Sequence, residues 1–154
     1  MQPLQRVKTM TVRPFVTVFL TAVICLGIAQ VGAQNQEKFK ARLSTIAMDG
    51  GMRETVAGTG NASAVLAGTK LTINGTFDGL RSPATVARVH SGLAMGVRGA
   101  AIGDLTVAKA TNGTISGSLD LTPEQVQGLK AGRLYIQISS EKAPEGNLWG
   151  WLVR

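Results

Sequence analysis

Apolar and polar residues that alternate at every second position restrict the fold of this chain more than any other feature of its sequence. The pattern covers residues 38–44, recurs over 70–77 and returns over 134–138. A period of two places successive side chains on opposite faces of a β-strand with one buried face. Residues 93–103 carry too many glycines to pack as an element, and Asn112-Gly113 favours a hairpin turn. Seven or eight short strands with regular turns predict an all-β fold, an antiparallel β-sandwich.

One short helix is predicted near residues 122–131. Thr122 is a suitable N-cap, and Gly132 is placed to end the helix. Val126 and Leu129 are three residues apart, which puts both on the same face. We therefore expect a single small helix that packs this face against the strands.

The first 33 residues have the order of a secretory signal peptide. Basic residues precede an apolar run at 15–28, and short side chains at 31 and 33 stand where a signal peptidase reads. The run is shorter than the roughly 20 apolar residues that cross a bilayer, although an uncleaved membrane anchor is the alternative. We predict cleavage near Ala33, a polar linker over 34–37, and a domain over 38–154 that is secreted or periplasmic.

Composition limits what the exported part can bind. It has no cysteine, because Cys25 lies within the apolar run, so its core must hold without disulfides. The formal net charge of the chain is +7, and the positive excess outside the leader is scattered except at Lys38, Lys40 and Arg42. These three predict the solvated face of one strand. With few aromatic residues and no basic run, the chain does not match a nucleic-acid-binding protein, and no membrane contact is predicted beyond the signal segment.

His90 is the single histidine of the chain. A tight transition-metal site takes about three or four ligands, normally imidazole or thiolate, so we predict no metal and no cofactor. No nucleophile elbow, phosphate-cradling glycine loop or His-Glu-x-x-His motif occurs, so we predict no catalytic residue and no enzyme activity. The expected role of His90 is that of a strand residue hydrogen-bonded to a loop. A degenerate metal-binding or enzyme-like site around His90 and Arg88 is the alternative.

Two tryptophans occupy alternate positions near the end of the chain. If Leu148 and Leu152 face the core, Trp149 and Trp151 lie on the opposite face, beside Tyr135 where their strands pair. Exposed aromatic side chains on a sheet form a binding surface for sugars or proteins. The alternative is that one tryptophan fills the sandwich or covers its edge. The candidate binding surface consists of Arg88, His90, Tyr135, Trp149 and Trp151.

Three blocks of the sequence carry a family resemblance. They are an alanine-and-histidine strand at 87–92, a Leu-Thr-Pro helix at 121–132, and the segment 133–152 with its Leu-Tyr strand and Pro-x-Gly close. Together they resemble the chordin-type domain, the CHRD family, over about residues 38–153. The resemblance implies an extracytoplasmic β-sandwich similar to the immunoglobulin-like sandwich of copper–zinc superoxide dismutases. In animals, it implies secreted proteins that sequester growth factors.

The sequence departs from the family pattern where chemistry would be expected. Arg88 stands at the first histidine of the family's His-hydrophobic-His strand, and only His90 matches. Ser139 stands where a histidine often follows the Leu-Tyr strand, and Asn147 stands where a glutamate follows Pro-x-Gly. We therefore predict an exported CHRD-domain protein that acts as a non-catalytic binding or structural module. Its expected partner is an unidentified protein or a surface glycan.

Overall fold

The computed structural model describes residues 35–45 and 50–154. The predicted signal peptide of residues 1–33 lies outside the described residues. None of the helices described is long and apolar enough to cross a membrane. The elements are β1 (Gln36–Ser44), a 3-10 turn (Gly51–Glu54), β2 (Thr59–Ala67), β3 (Lys70–Asp78), β4 (Ala84–Ser91), β5 (Ala100–Val107), β6 (Gly113–Asp120), α1 (Pro123–Lys130), β7 (Leu134–Ser140) and β8 (Ala143–Trp151).

The eight strands form a closed barrel in the order β1-β2-β3-β6-β5-β4-β7-β8, with antiparallel neighbours. Pairing is long within β1-β2-β3-β6 and within β5-β4-β7-β8. It is short between these groups: two residue pairs join β5 to β6, and Ser44 faces Trp149 between β1 and β8. The all-β antiparallel fold with one short helix is confirmed. The separate sheets of the predicted sandwich are instead joined at both edges into a barrel.

Closure between β8 and β1 depends on a glycine. A Cβ atom at Gly150 would lie 2.7 Å from the carbonyl oxygen of Arg42 on β1, so only a residue without a side chain allows this approach. Alternating apolar residues are common to sandwiches and barrels, because both bury one face of each strand. Periodicity therefore does not distinguish the two, and the contact between edge strands decides.

The core is built from the inward face of the strands. Phe39, Ala41 and Leu43 on β1 are buried, whereas Lys40 and Arg42 between them are exposed, as the alternation predicts. Burial of one large apolar side chain contributes about 1.5–3 kcal/mol, so the sum over eight strands holds the domain without disulfides. The other large, fully buried side chains are Leu66, Leu71, Ile73, Ile115, Leu129, Leu134, Ile136, Ile138, Leu148 and Leu152.

The helix α1 lies within its predicted range. Thr122 Oγ1 accepts a hydrogen bond from the Gln125 backbone N–H at 3.2 Å, and Gln125 Oε1 accepts one from the Thr122 N–H at 2.9 Å. This capping box satisfies two donors at the helix N-terminus. Leu129 is buried against the barrel, as predicted from its position on the apolar face.

The strand β5 begins before the end of the segment that the sequence predicts to be a loop. Its first residues fall in the segment 93–103, which was expected to be a loop because of its glycines. A Cβ atom at Gly103 would lie 1.7 Å from Cδ2 of Leu119 on β6. The Leu119 side chain thus occupies the space beside Gly103, and this glycine serves packing within a strand rather than a turn.

Candidate functional site

Three of the candidate residues form a row across the outer face of β4, β7 and β8. The register pairs His90 with Tyr135 and Tyr135 with Trp151. The His90 and Tyr135 rings stack with their centroids 4.9 Å apart, and the Tyr135 and Trp151 rings are tilted with centroids 4.5 Å apart. Side chains directly opposite one another on adjacent strands interact in this way. We call these three residues the aromatic row.

Two members of the aromatic row, His90 and Tyr135, hold the chain before β5 through the main chain of Gly99. His90 Nδ1 lies 3.0 Å from the Gly99 carbonyl oxygen. The Tyr135 hydroxyl donates to the same carbonyl at 3.3 Å and accepts from the Gly99 N–H at 3.2 Å. A Cβ atom at Gly99 would lie 1.7 Å from the carbonyl oxygen of Ser91, so this backbone lies directly on the end of β4. The predicted role of His90, a strand residue hydrogen-bonded to a loop, is confirmed.

The segment that Gly99 anchors exposes large apolar side chains. We call residues 92–99 the apolar loop; Leu93 is 84% exposed, Met95 56% and Val97 44%. Single exposed apolar residues are ordinary, but three within one short loop form a patch of the kind found at protein contacts. This patch was not predicted from the sequence, because the glycines of the segment indicate only a loop. Leucine, methionine and valine at alternate positions were the available signal.

Trp149 is covered rather than exposed. Only 6% of it is accessible, because the guanidinium carbon of Arg98 lies 4.3 Å from its ring centroid and the backbone of Gly146 packs on the indole. Its buried Nε1 has no hydrogen-bond partner. The expectation that both indoles lie exposed is therefore wrong for Trp149, since a long arginine side chain and the start of β8 fold over it. Tyr135 is also buried, at 3% exposure, so Trp151 offers more surface than either ring.

Arg88, His90 and Ser139 line one small cleft beside the aromatic row. Its volume is about 210 Å³. Arg88 Nε donates to Asp104 Oδ1 at 2.8 Å, with both side chains largely exposed, so this ion pair adds little stability. The cleft brings together Arg88 and Ser139, where the sequence departs from the family pattern, and His90, where it matches the pattern. Its remaining lining residues are Val86, Gln137, Pro144 and Glu145.

Asn147 does not reach the cleft. It is 1% exposed, its Nδ2 donates to the Ala57 carbonyl at 2.6 Å, and its Oδ1 accepts from the Ser140 hydroxyl at 3.4 Å. These bonds satisfy a buried amide, as burial requires. Asn147 therefore joins β8 to the segment before β2 and has a structural role.

Metal ligands are sparse around His90. The Gly99 contact occupies Nδ1, which leaves Nε2 as the free ring nitrogen. The Asp104 carboxylate on the adjacent strand already accepts from Arg88. Across residues 35–45 and 50–154, no three His, Cys, Asp or Glu side chains lie close enough together to hold a metal ion. The described residues around His90 thus offer fewer donors than the three or four of a tight site.

Comparison with known protein families covers nearly the whole barrel. No curated protein and no solved structure matches the chain. The family model of the CHRD domain matches residues 39–152. This range runs from β1 to the end of β8 and includes the aromatic row, the apolar loop and the cleft. The chain therefore belongs to the CHRD domain family.

Proposed function

We propose that this protein is an exported, non-catalytic module that binds another protein through the apolar loop. The observation that carries the proposal is a loop with three exposed apolar side chains whose end is hydrogen-bonded to His90 and Tyr135. Ordering a mobile side chain at an interface costs about 0.5–1.5 kcal/mol. A loop already fixed to the barrel loses less of its freedom on binding. Export is supported by the basic, apolar and small segments within residues 1–33.

The surface around the loop defines the chemistry of the partner. A Cβ atom at Gly132 would lie 2.9 Å from Met95 Cε and 3.9 Å from Val153 Cγ1, so the exposed Val153 extends the apolar patch of the loop. Arg98 borders the patch, with its Nη2 donating to the Glu145 carbonyl at 3.3 Å. Interfaces combine an apolar centre with a polar rim. The expected partner surface is an apolar depression bordered by acidic groups.

The non-catalytic assignment is supported by the use of the candidate residues. His90 and Tyr135 direct polar atoms at Gly99, and Arg88 directs its Nε at Asp104. A nucleophile or general base instead needs a polar atom within reach of a substrate and of an activating partner. These side chains therefore position the loop and the sheet surface.

The test is a loop variant that carries Leu93→Ser, Met95→Ser and Val97→Ser. The matched control is Ala94→Ser, which changes an exposed but small residue of the same loop. Crosslinking in the periplasmic or secreted extract of the source identifies a partner, and its affinity is then measured with purified proteins. We expect the triple variant to bind at least about tenfold more weakly, because the apolar area that these three side chains would bury at the interface is lost, and the control to bind normally. Equal binding by the triple variant, or no reproducible partner of the wild type, contradicts the proposal.

Export has a separate test. N-terminal sequencing of the protein recovered from its source should give a start near residue 34 if the predicted signal peptide is removed. A chain that retains Met1 and sediments with membranes would instead establish an anchored form.

A second candidate function is a degenerate metal or enzyme-like site. The observation in its favour is that Arg88, His90 and Ser139 line the same cleft. Elemental analysis of purified protein decides between the two candidates. Stoichiometric copper, zinc or iron in the wild type that disappears in His90→Ala would establish the metal site, whereas none in either protein would count against it.

A further inference from the structure

The outer face of β1, β2, β3 and β6 carries small polar side chains in regular rows. The register aligns residues across all four strands, which lie about 4.8 Å apart. We call the surface formed by three of these rows the polar face. The rows are Arg42, Asn61, Thr76 and Thr114; Lys40, Ser63, Asn74 and Ser116; and Lys38, Val65, Thr72 and Ser118.

Three cations form the β1 edge of the polar face. Lys38, Lys40 and Arg42 are exposed and follow one another at intervals of about 6.8 Å, two residues of an antiparallel strand. None forms an ion pair with a described residue. The three rows contain no acidic side chain. Asp78 and Asp120 lie in the next row on either side of the polar face. Like charges so close together repel one another, and a polyanion laid along them relieves this repulsion.

Beside these cations, a shallow groove of about 810 Å³ crosses the polar face. Its polar lining includes Lys40, Arg42, Asn61 and Asn74. The side-chain amides of Asn61 and Asn74 make no hydrogen bond with other described residues. The Ser63 hydroxyl, which lies beside Asn74, donates to the Asn74 backbone carbonyl at 3.4 Å and not to the amide. An amide both donates and accepts, so these two groups suit the hydroxyls of a sugar ring.

We propose that the polar face binds a linear anionic polysaccharide. Lys38, Lys40 and Arg42 recognise the carboxylate, sulfate or phosphate groups of the polysaccharide. The amides and hydroxyls of the groove hydrogen-bond to its sugar hydroxyls. The three rows contain no aromatic ring on which a base could stack, which disfavours nucleic acid. They expose no large apolar side chain for insertion into a lipid surface, which disfavours a membrane. The polar face and the apolar loop share no residue, so this proposal does not depend on the protein partner.

The first test removes the charges of Lys38, Lys40 and Arg42, with heparin as the probe and neutral dextran as the uncharged control. Titrations at several salt concentrations compare the wild type with two triple variants of equal net charge. The row variant is Lys38→Gln, Lys40→Gln and Arg42→Gln, and the control variant is Arg53→Gln, Arg81→Gln and Lys142→Gln.

We expect the wild type to bind heparin but not dextran. The row variant should bind heparin at least about tenfold more weakly. The slope of its log Kd against log salt concentration should be smaller by about two, because three phosphate-like contacts are lost. The control variant should stay within about twofold of the wild type. No binding by the wild type, or an equal loss in both triple variants, overturns the proposal, the latter because only net charge would then matter.

Asn61→Ala with Asn74→Ala is the second test, because it removes hydrogen-bonding groups without changing charge. We expect affinity for heparin to fall about threefold to tenfold with an unchanged salt dependence. Unchanged affinity overturns the assignment to a polysaccharide. The assignment also fails if a single-stranded oligonucleotide or phosphatidylglycerol vesicles bind the wild type as tightly as heparin does. Thermal unfolding of each variant confirms that these exposed substitutions leave the barrel folded.

Discussion

Replacing Gly99 by alanine tests whether the apolar loop is fixed to the end of β4. The new Cβ atom would lie 1.7 Å from the Ser91 carbonyl oxygen, 2.5 Å from the Ser91 carbonyl carbon and 2.8 Å from Gly92 Cα. All three are main-chain atoms, so no side-chain rotation relieves the clash. Carbon and oxygen atoms in contact are separated by about 3.3 Å or more, so the loop backbone must move by roughly 1.5 Å.

That movement breaks the contacts of Gly99 with His90 and Tyr135. Their lengths are 3.0, 3.2 and 3.3 Å, and an added 1.5 Å takes each beyond about 3.6 Å, a distance at which no hydrogen bond remains. A net hydrogen bond contributes about 0.5–1.5 kcal/mol. Some polar atoms regain water after the shift, so we expect the free energy of unfolding to fall by about 2–3 kcal/mol.

Urea denaturation provides the measurement, followed by the fluorescence of Trp149 and Trp151, the two tryptophans of the chain. Gly96→Ala is the matched control in the same loop. Its Cβ would have no atom within 4 Å, and its φ of +84° costs only about 1 kcal/mol of backbone strain. The reasoning is refuted if Gly99→Ala costs less than about 0.5 kcal/mol or no more than Gly96→Ala.

Two further predictions concern the N-cap of α1 and the ion pairs of Glu37. Thr122→Ala removes the side-chain half of the α1 capping box and should lower the free energy of unfolding by about 1 kcal/mol in urea titrations; Thr122→Ser should restore it, and an unchanged midpoint in the alanine variant would contradict the role of the cap. The hydrogen bond from Lys130, with a smaller one from Arg154, lowers the pKa of the Glu37 carboxyl, so its contribution to stability is present above the ordinary carboxyl pKa and is lost as pH falls through the lowered value. Glu37→Gln should therefore destabilise the protein at about pH 7 and match the wild type once the pH is below the lowered pKa of Glu37. A difference that persists or grows in acid would show that the ion pairs do not act.

Much of the fold follows from local patterns in the sequence. Alternation along β1 identifies Phe39 and Leu43 as core residues and Lys40 as exposed, because each strand has one buried face. The Thr122 cap locates α1 within its predicted range. These features depend on neighbours in the chain, so short-range reasoning reaches them.

The candidate site was predicted in part. Alternation places His90, Tyr135 and Trp151 on the outer face of their strands, and the register then brings them into one row. The burial of Trp149 was not predicted. Arg98 and Gly146 cover it, and the path of their segments over the indole cannot be derived from local sequence patterns. Alternation along a strand assigns each side chain to one face of the sheet. Whether that side chain is exposed depends also on the segments that pack over this face.

The sequence by itself determined an all-β antiparallel domain with one capped helix, an apolar core and no disulfide, because these follow from residue type and spacing. The tertiary structure alone decided that the strands close into a barrel through Gly150 and Arg42 and that Gly99 fixes the apolar loop. It also decided that Lys40 and Arg42 line the same groove as Asn61 and Asn74. Each of these depends on contacts between strands far apart in the chain. Such contacts arise from backbone approach and register, which no local pattern records.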